Sequence, residues 1–422
     1  MLESLKLINV GPAPEMQFDF APRLNVLTGD NGLGKSFVLD VAWWALTRTW
    51  SGNPALPSGA KDGVIEYVVK GKAGRAQPVR SKFRHADATW PVDAKRPPMP
   101  GIVVYIRIDG GFSVWDPARN YWRKDPGRPA AYHFTGQEVW DGLDIGGTRA
   151  CEGLERDWVN WQEARKGQFK ALEHVLEVLS PPSERLRPGP PRRLFLGEGR
   201  ERPTLLIGAQ EVPVTLASAG IRRALALAYF LVWAWHEHQV AARLLKKKPE
   251  SRFVVLFDEP ETHLHPRWQR QIARSVIAAL DALRGTTANA QLLIATHAPL
   301  VLASLEPVFD EECDQLFHLE LVKGQAAVKS DLWAKQGDAT SWLTSEIFGL
   351  EQARSSEAEH VIEVAEAFMR GDKGLPKGLA TKTSIHEELK RLLPEHDEFW
   401  PRWLVTAKAG PFESRQAKRS AK

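Results

Sequence analysis

RLNVLTGDNGLGKSFVLDVAWWAL, residues 23–46, changes its periodicity halfway along. Leu24–Leu27 is a short apolar run that predicts a buried strand. Gly29, Asp30, Asn31, Gly32, Leu33, Gly34, Lys35 and Ser36 then fit G-x-x-x-x-G-K-[ST] without a gap. After them Phe37, Val38, Val41, Ala42, Ala45 and Leu46 recur at helical spacing. Strand, glycine-rich loop and helix are the context in which such a loop cradles phosphate. Glycines let the backbone turn its N–H groups onto phosphate oxygens, and the helix start adds the positive end of its dipole. Lys35 is placed to reach β- and γ-phosphates, and the Ser36 hydroxyl to ligate Mg²⁺.

Such a site needs an aspartate on a second buried strand. FVVLFDEPETHLHP, residues 253–266, supplies one. Phe253–Phe257 reads as a strand of a parallel sheet, with Asp258 at its C-terminal end, where such sheets place ligand groups. Asp258 is expected to hold Mg²⁺, and Glu259 to polarise an attacking water. The histidines of His263-x-His265 could instead suggest zinc. That reading needs a third ligand at sensible spacing, and His297 is the one obvious candidate. An ordered loop packing against nucleotide or a neighbouring subunit fits the pair better.

Two further segments have the same character. Gln291–His297 is an apolar strand with a polar end, from which His297 could hydrogen-bond a γ-phosphate oxygen. LASAGIRRAL, residues 216–225, opens a long apolar helix. Ser218 is placed as its N-cap, and Gly220 leaves amide donors uncovered in the first turn, so this is a second candidate anion site.

Taken in order, TGDNGLGKS, LASAGIRRALAL, VVLFDEPETHLHP and IATHAP resemble ABC-type P-loop ATPases. The similar branch is that of RecF, SMC and OLD-like proteins, grouped as AAA_21 or AAA_15. The resemblance spans about residues 1–325, with Ala219 standing where Gly or Ser is commoner. It implies an α/β fold with a mixed central sheet, an antiparallel β subsheet and a short helical insertion. It also implies ATP and Mg²⁺ as cofactors and a slow, dimer-dependent ATPase. In such a homodimer, or higher homo-oligomer, Ser218 of one copy would meet the γ-phosphate on Lys35 of another. A Q-loop glutamine touching Mg²⁺ or water is implied too, and Gln137 in HFTGQEVWDGL is its candidate. Compact relatives of this kind serve as ATPase subunits of Septu, retron-associated and PARIS-type anti-phage systems, so a nuclease or toxin partner in trans is expected. The alternative is a RecF-like ATPase that binds DNA in repair or recombination.

The bulk composition agrees with a soluble globular chain: 422 residues, 43% hydrophobic, 26% charged, formal net charge +4. No apolar run reaches the roughly 18–20 residues that span a bilayer, and the first residues do not read as a secretory signal. Two cysteines, Cys151 and Cys313, cannot build a disulfide framework. A cytoplasmic protein without a membrane partner is the expectation.

The predicted organisation has an N-terminal head part at 1–145 and a helical insertion with a Pro-rich return loop at 146–199. A C-terminal head part follows at 200–325, then a small helical region with a basic tail at 326–422. Residues 63–70 and 78–84, and again 101–108 and 112–115, read as hairpins of the antiparallel subsheet; residues 149–180 read as helix. Lys70–Arg96 carries eight basic and two acidic side chains, either a nucleic-acid face or a solvated hairpin. The region after 325 lacks the glutamate and D-x-D pattern of a TOPRIM nuclease.

Overall fold

The computed structural model describes residues 1–59, 61–71, 76–93, 97–121, 129–284, 290–331 and 333–409. It divides into two compact units, Met1–Trp342 and Leu343–Lys422.

An eight-stranded mixed sheet forms the centre of the first unit. Five strands run parallel in the order Asp314–Val322, Leu24–Gly29, Ala290–Ala295, Phe253–Asp258, Ile102–Ile106. Gln325–Asp331 adds an antiparallel edge on one side, Phe112–Trp115 and Tyr132–Phe134 on the other. Leu24–Gly29, Phe253–Asp258 and Ile102–Ile106 are buried at every residue, as parallel strands covered on both faces must be. Register puts Asp258 opposite Ala295 and Ala295 opposite Leu27, so the three strands end level. The strand ending at Ala295 lies between those carrying the phosphate loop and Asp258, which sets Thr296 and His297 between them.

One expectation is corrected here. The run GIVVYIRI with FSVW does not belong to the antiparallel subsheet: Ile102–Ile106 is paired in parallel with Phe253–Phe257 in the central sheet. Its uninterrupted burial is the physical reason, because a strand of a half-exposed sheet alternates instead. The antiparallel subsheet is a separate four-stranded layer in the order Glu15–Asp19, Leu2–Ile8, Val64–Lys70, Ala76–Lys82. The Lys35–Thr47 helix lies in the core that this layer shares with the central sheet and is buried on nearly all sides, with Trp43 and Trp44 inside.

A second correction concerns residues 149–180. Thr148–Cys151 pairs with Leu143–Ile145 as a small hairpin, and the helical part is two helices, Leu154–Glu163 and Gly167–Leu179. The break coincides with Arg165 in the left-handed region at φ 49. The second of these helices packs on the long helix Ala219–Leu244. The Pro-rich return includes Arg187–Pro188, which joins Thr204–Ile207 and Gln210–Pro213 in a three-stranded sheet.

The second unit holds the helices Ser356–Arg370, Lys382–Leu392 and Phe399–Ala409 around their own core, with Trp403 fully buried. The tail at 410–422 lies outside the described residues, as do Lys72, Arg75, Lys95 and Arg96 of the basic stretch.

The two sheets of the first unit are tied by one side chain. Gln291 is fully buried; its amide donates to the carbonyls of Leu2 (2.8 Å) and Ala21 (2.9 Å), and its Oε1 accepts from Leu2 N–H at 2.9 Å. Gln291→Leu keeps the volume but removes the side-chain partner of the buried Leu2 N–H and carbonyl, while the Ala21 carbonyl keeps its bond from the Asn25 amide. It is expected to lower unfolding free energy by about 2–4 kcal/mol, measured by urea denaturation.

Candidate nucleotide site

The phosphate loop depends on its glycines for space as well as curvature. Gly29 sits at φ 124, and a Cβ there would lie 1.9 Å from the Leu319 carbonyl oxygen of the neighbouring strand. Gly34, at φ 94, caps the following helix with no side-chain hydrogen bond, leaving the first-turn amides for a ligand. Lys35 is nearly buried and its Nζ donates to the carbonyls of Gly29 (2.7 Å) and Asp30 (2.9 Å). Burial pulls the Lys35 pKa down, opposed by Glu259, Asp30, Glu261 and Asp258. An ammonium held by carbonyls at the floor of an anion cradle is poised to turn to phosphate.

Ser36 Oγ donates to Asp258 Oδ1 at 3.0 Å, bringing together the hydroxyl and carboxylate expected to share Mg²⁺. This all-oxygen pair suits a hard cation that keeps waters and takes further ligands from phosphate. Asp258 is buried, and its pKa is raised to about 6 by desolvation, with help from Glu259 and Asp40 and against the Ser36 hydrogen bond. Asp40, one helical turn beyond Ser36, also has a raised pKa from burial, and accepts hydrogen bonds from Ser51 and Tyr105.

Glu259 adopts φ 45, uncommon for a residue with a side chain. Its N–H donates to the Ala295 carbonyl at 2.9 Å, and its carboxylate lies 3.2 Å from His297 Nδ1 and 3.3 Å from Thr262 Oγ1. Glu259 and His297, proposed separately for water and phosphate, therefore face each other. Glu261 joins them: its Oε1 accepts from Thr296 Oγ1 (2.8 Å) and His297 N–H (3.0 Å), while its Oε2 is buried without a hydrogen-bond partner.

Ser218 is the N-cap of the Ala219–Leu244 helix and accepts from Ile221 N–H. It opens on a groove of about 810 Å³ lined by Glu184, Leu186, Ile207, His263 and Trp268, among others, and by no phosphate-loop residue. Gly220 has a spatial reason: a Cβ would lie 2.5 Å from the His263 carbonyl oxygen. His263 is itself in the left-handed region, at φ 64, and His265 Nδ1 accepts from Arg267 N–H to cap the short helix Pro266–Gln269. The His-x-His pair thus shapes a loop against the Ser218 helix. Among the described residues no group of three or more His, Cys, Asp or Glu is arranged to hold a metal ion, and the zinc reading has no third ligand there.

Gln137 is not brought to Ser36 and Asp258. It is exposed on the helix Gly136–Asp141, whose start abuts the Asp109–Gly110 turn, and its amide is bonded to Asp141. The parallel strand beside Phe253–Asp258 instead leads into Arg107–Asp109, where Arg107 bonds Ser51 O, Ser113 and Phe134 O.

Sequence reasoning also missed Arg223. From the second turn of the Ser218 helix its Nη2 donates to the main-chain carbonyls of Asp258 (3.0 Å) and Glu259 (3.1 Å), and its Nη1 to that of Ile108 (3.4 Å). Tandem arginines in a helix start usually signify solvent exposure, and Arg222 is exposed; nothing local distinguishes its neighbour.

Comparisons with known proteins agree with this geometry. Residues 207–303 match a family model, AAA_21, described as "AAA domain, putative AbiEii toxin, Type IV TA system", and residues 4–126 match AAA_23, described as "AAA domain". Over 52 residues the chain is 40% identical to the "Retron Vc95 probable ATPase" of Vibrio cholerae serotype O1 biovar El Tor, a stretch spanning 12% of this chain and 9% of that protein. The SMC head domain from Thermotoga maritima aligns with TM-score 0.40 and 14% identity over 79% of this chain and 99% of that one. The recombination mediator protein RecF with ATP, of the RecFOR pathway, aligns with TM-score 0.39 and 12% identity over 78% and 97%. Two segments of the chain, 4–126 and 207–303, thus resemble AAA ATPase domains, and together they hold the phosphate loop, the Ser218 helix start, Asp258 and His297.

Two outcomes test the site. Because the folded pKa of Asp258 is raised, its contribution to stability is present at low pH and is lost as pH rises through about 6. Asp258→Asn is therefore expected to melt higher than wild type at pH 8 without nucleotide, by at most about 3 kcal/mol, the difference narrowing below pH 6. Arg223→Ala is expected to cut ATP turnover by about tenfold or more, with ATP affinity changed less than threefold; Arg223→Lys restores only part, since one ammonium cannot span three carbonyls. Steady-state turnover and equilibrium nucleotide titration separate the two effects.

Proposed function

We propose that this chain is an ATP-binding and ATP-hydrolysing switch in which two copies close over nucleotide, and that closure controls a partner effector, a nuclease or toxin, in anti-phage defence. The observation that carries the reading is the separation of two half-sites. Lys35, Ser36, Asp258 and Glu259 converge on one edge of the sheet, whereas Ser218 opens on a groove to which the phosphate loop contributes nothing. A γ-phosphate at Lys35 would reach Ser218 only on a second copy, so bound ATP favours a closed, isologous dimer.

Within such a dimer, Lys35 turns its charge from the Gly29 and Asp30 carbonyls to the phosphates. Ser36 and Asp258 would hold Mg²⁺, which when bound would supply charge neutralisation at the phosphates. Glu259, oriented by Thr262 and His297, receives the proton of the attacking water, and Glu261 fixes the main chain at His297. The defence assignment is supported by the stretch shared with the retron ATPase and by the toxin–antitoxin description attached to the matched model. The RecF-like alternative would use the basic hairpin. There the described cations are neutralised locally: Lys70 pairs with Glu3, Arg80 with Glu66, Lys82 with Asp62 and Arg84 with Asp87, which leaves less charge for phosphates.

Glu259→Gln loaded with ATP and Mg²⁺ is expected to double its mass in sedimentation equilibrium, and Lys35→Ala to stay single. A single Glu259→Gln chain at every concentration overturns the switch. In cells carrying the gene with its native neighbours, wild type should lower phage plating at least about tenfold and Lys35→Ala should not. Tight, salt-dependent duplex binding by the chain alone, with no plating effect, would favour the repair reading.

A further inference from the structure

A second groove, of about 780 Å³, lies away from the phosphate loop. It begins beside Arg23 and Leu24, at the opposite end of the strand from Gly29, and runs along the Ile272–Arg284 helix. Its cations differ sharply in their commitments. Arg23 is spent in the fold, donating to both oxygens of Asp314 and to the Val308 carbonyl. Arg267 is partly engaged, 3.5 Å from Glu184. Arg270, the C-cap of the Pro266–Gln269 helix, and Arg274, in the first turn of the Ile272–Arg284 helix, are exposed and both line the groove, and among the described residues neither has an acidic partner. An unbalanced pair of guanidinium groups on the wall of a cavity this size is a built recognition surface for carboxylate or phosphate.

The rest of the lining decides between those anions. The remaining walls include the apolar Val178, Pro181, Pro182, Ile277 and Val308, and no aromatic ring lines the groove. Single-stranded nucleic acid is held by rings on which bases stack, and nothing of that kind is present. Asp281 also lines the groove, and Glu184 is bonded to Arg267 and Trp268 beside it, so the basic wall is short and interrupted where a continuous phosphate backbone needs an unbroken one. A short segment alternating carboxylates with apolar side chains satisfies the arginines, fills the apolar wall and avoids both acids.

We infer that this groove docks an acidic, apolar-bearing peptide segment of a partner protein, with Arg270 and Arg274 reading its carboxylates. The site is separate from Lys35, Asp258 and Glu259, and the inference stands whether or not ATP closes a dimer. A random-peptide library panned against the full chain supplies the probes, and fluorescence anisotropy measures the enriched peptides. They should interleave Asp or Glu with apolar residues. Their affinity should fall by about tenfold or more per arginine in Arg270→Glu/Arg274→Glu and less in Arg270→Lys/Arg274→Lys. ATP turnover and ATP-dependent dimerisation of the charge-reversed variant should match wild type, which keeps this test distinct from that of the switch. If no enriched peptide depends on the two arginines, or if oligothymidylate or a short RNA binds through them in place of peptide, the inference is overturned.

Discussion

A half-buried guanidinium bonded to main-chain carbonyls rather than to carboxylates holds the functional part of this protein together. Arg223 belongs to the helix that starts at Ser218, yet its hydrogen bonds end on Ile108, Asp258 and Glu259. Burial lowers its pKa while Glu261, Asp258 and Glu259 push the other way. Its Nε has no partner, so the contact is held by two of three nitrogens and has room to be remade. A displacement of the Ser218 helix must pass through these bonds into the turn that carries Glu259. The Ser218 helix and the turn that carries Glu259 are thus a single mechanical piece.

That arrangement explains why costly features gather at one edge of the sheet. Glu259 sits in a disfavoured backbone conformation, Asp258 is a buried carboxylate with a raised pKa, and Glu261 has an orphaned oxygen. Each costs stability in isolation. They are retained by the aligned registers of three central parallel strands, which cannot slip without exposing a fully buried face. Gln291 adds a second lock, since it couples the start of the His297 strand to the first strand of the antiparallel layer.

The parts of the site carried by one contiguous segment were legible in the sequence. Gly29–Ser36 announces itself because spacing, strand and helix are all local, and the Ser218 cap and the Asp258 strand end are local too. What was missed is non-local. Glu261 matters because it meets Thr296 and His297, and Arg223 because it meets Asp258, contacts across long stretches of chain that no window reveals. Gln137 was chosen by residue type after an apparent meander; it lies on the helix whose start abuts the Asp109–Gly110 turn, and the strand paired beside Phe253–Phe257 is Ile102–Ile106, which leads into Arg107–Asp109. The continuous burial of IVVYI was the available signal for a central strand.

Charge distribution separates the surfaces by task. Around the candidate nucleotide edge the acids outnumber the bases, and the buried ammonium there, Lys35, is parked on carbonyls; a triphosphate with its cation would replace those bonds by stronger ones and relieve the crowding of Asp40, Asp258 and Glu259. On the basic hairpin the described cations are already paired. At the end of the Pro266–Gln269 helix and the start of the Ile272–Arg284 helix two arginines are left unbalanced beside an apolar wall. Nucleotide chemistry and partner recognition therefore draw on different free energies: electrostatic relief at one edge, and desolvation with directed hydrogen bonds in the other groove. The Ile272–Arg284 helix leads directly into the strand that ends at His297, with residues 285–289 between them outside the described set. The Ile272–Arg284 helix also packs on the Ala290–Ala295 strand, so a partner held in the groove would bear on the strand that precedes His297.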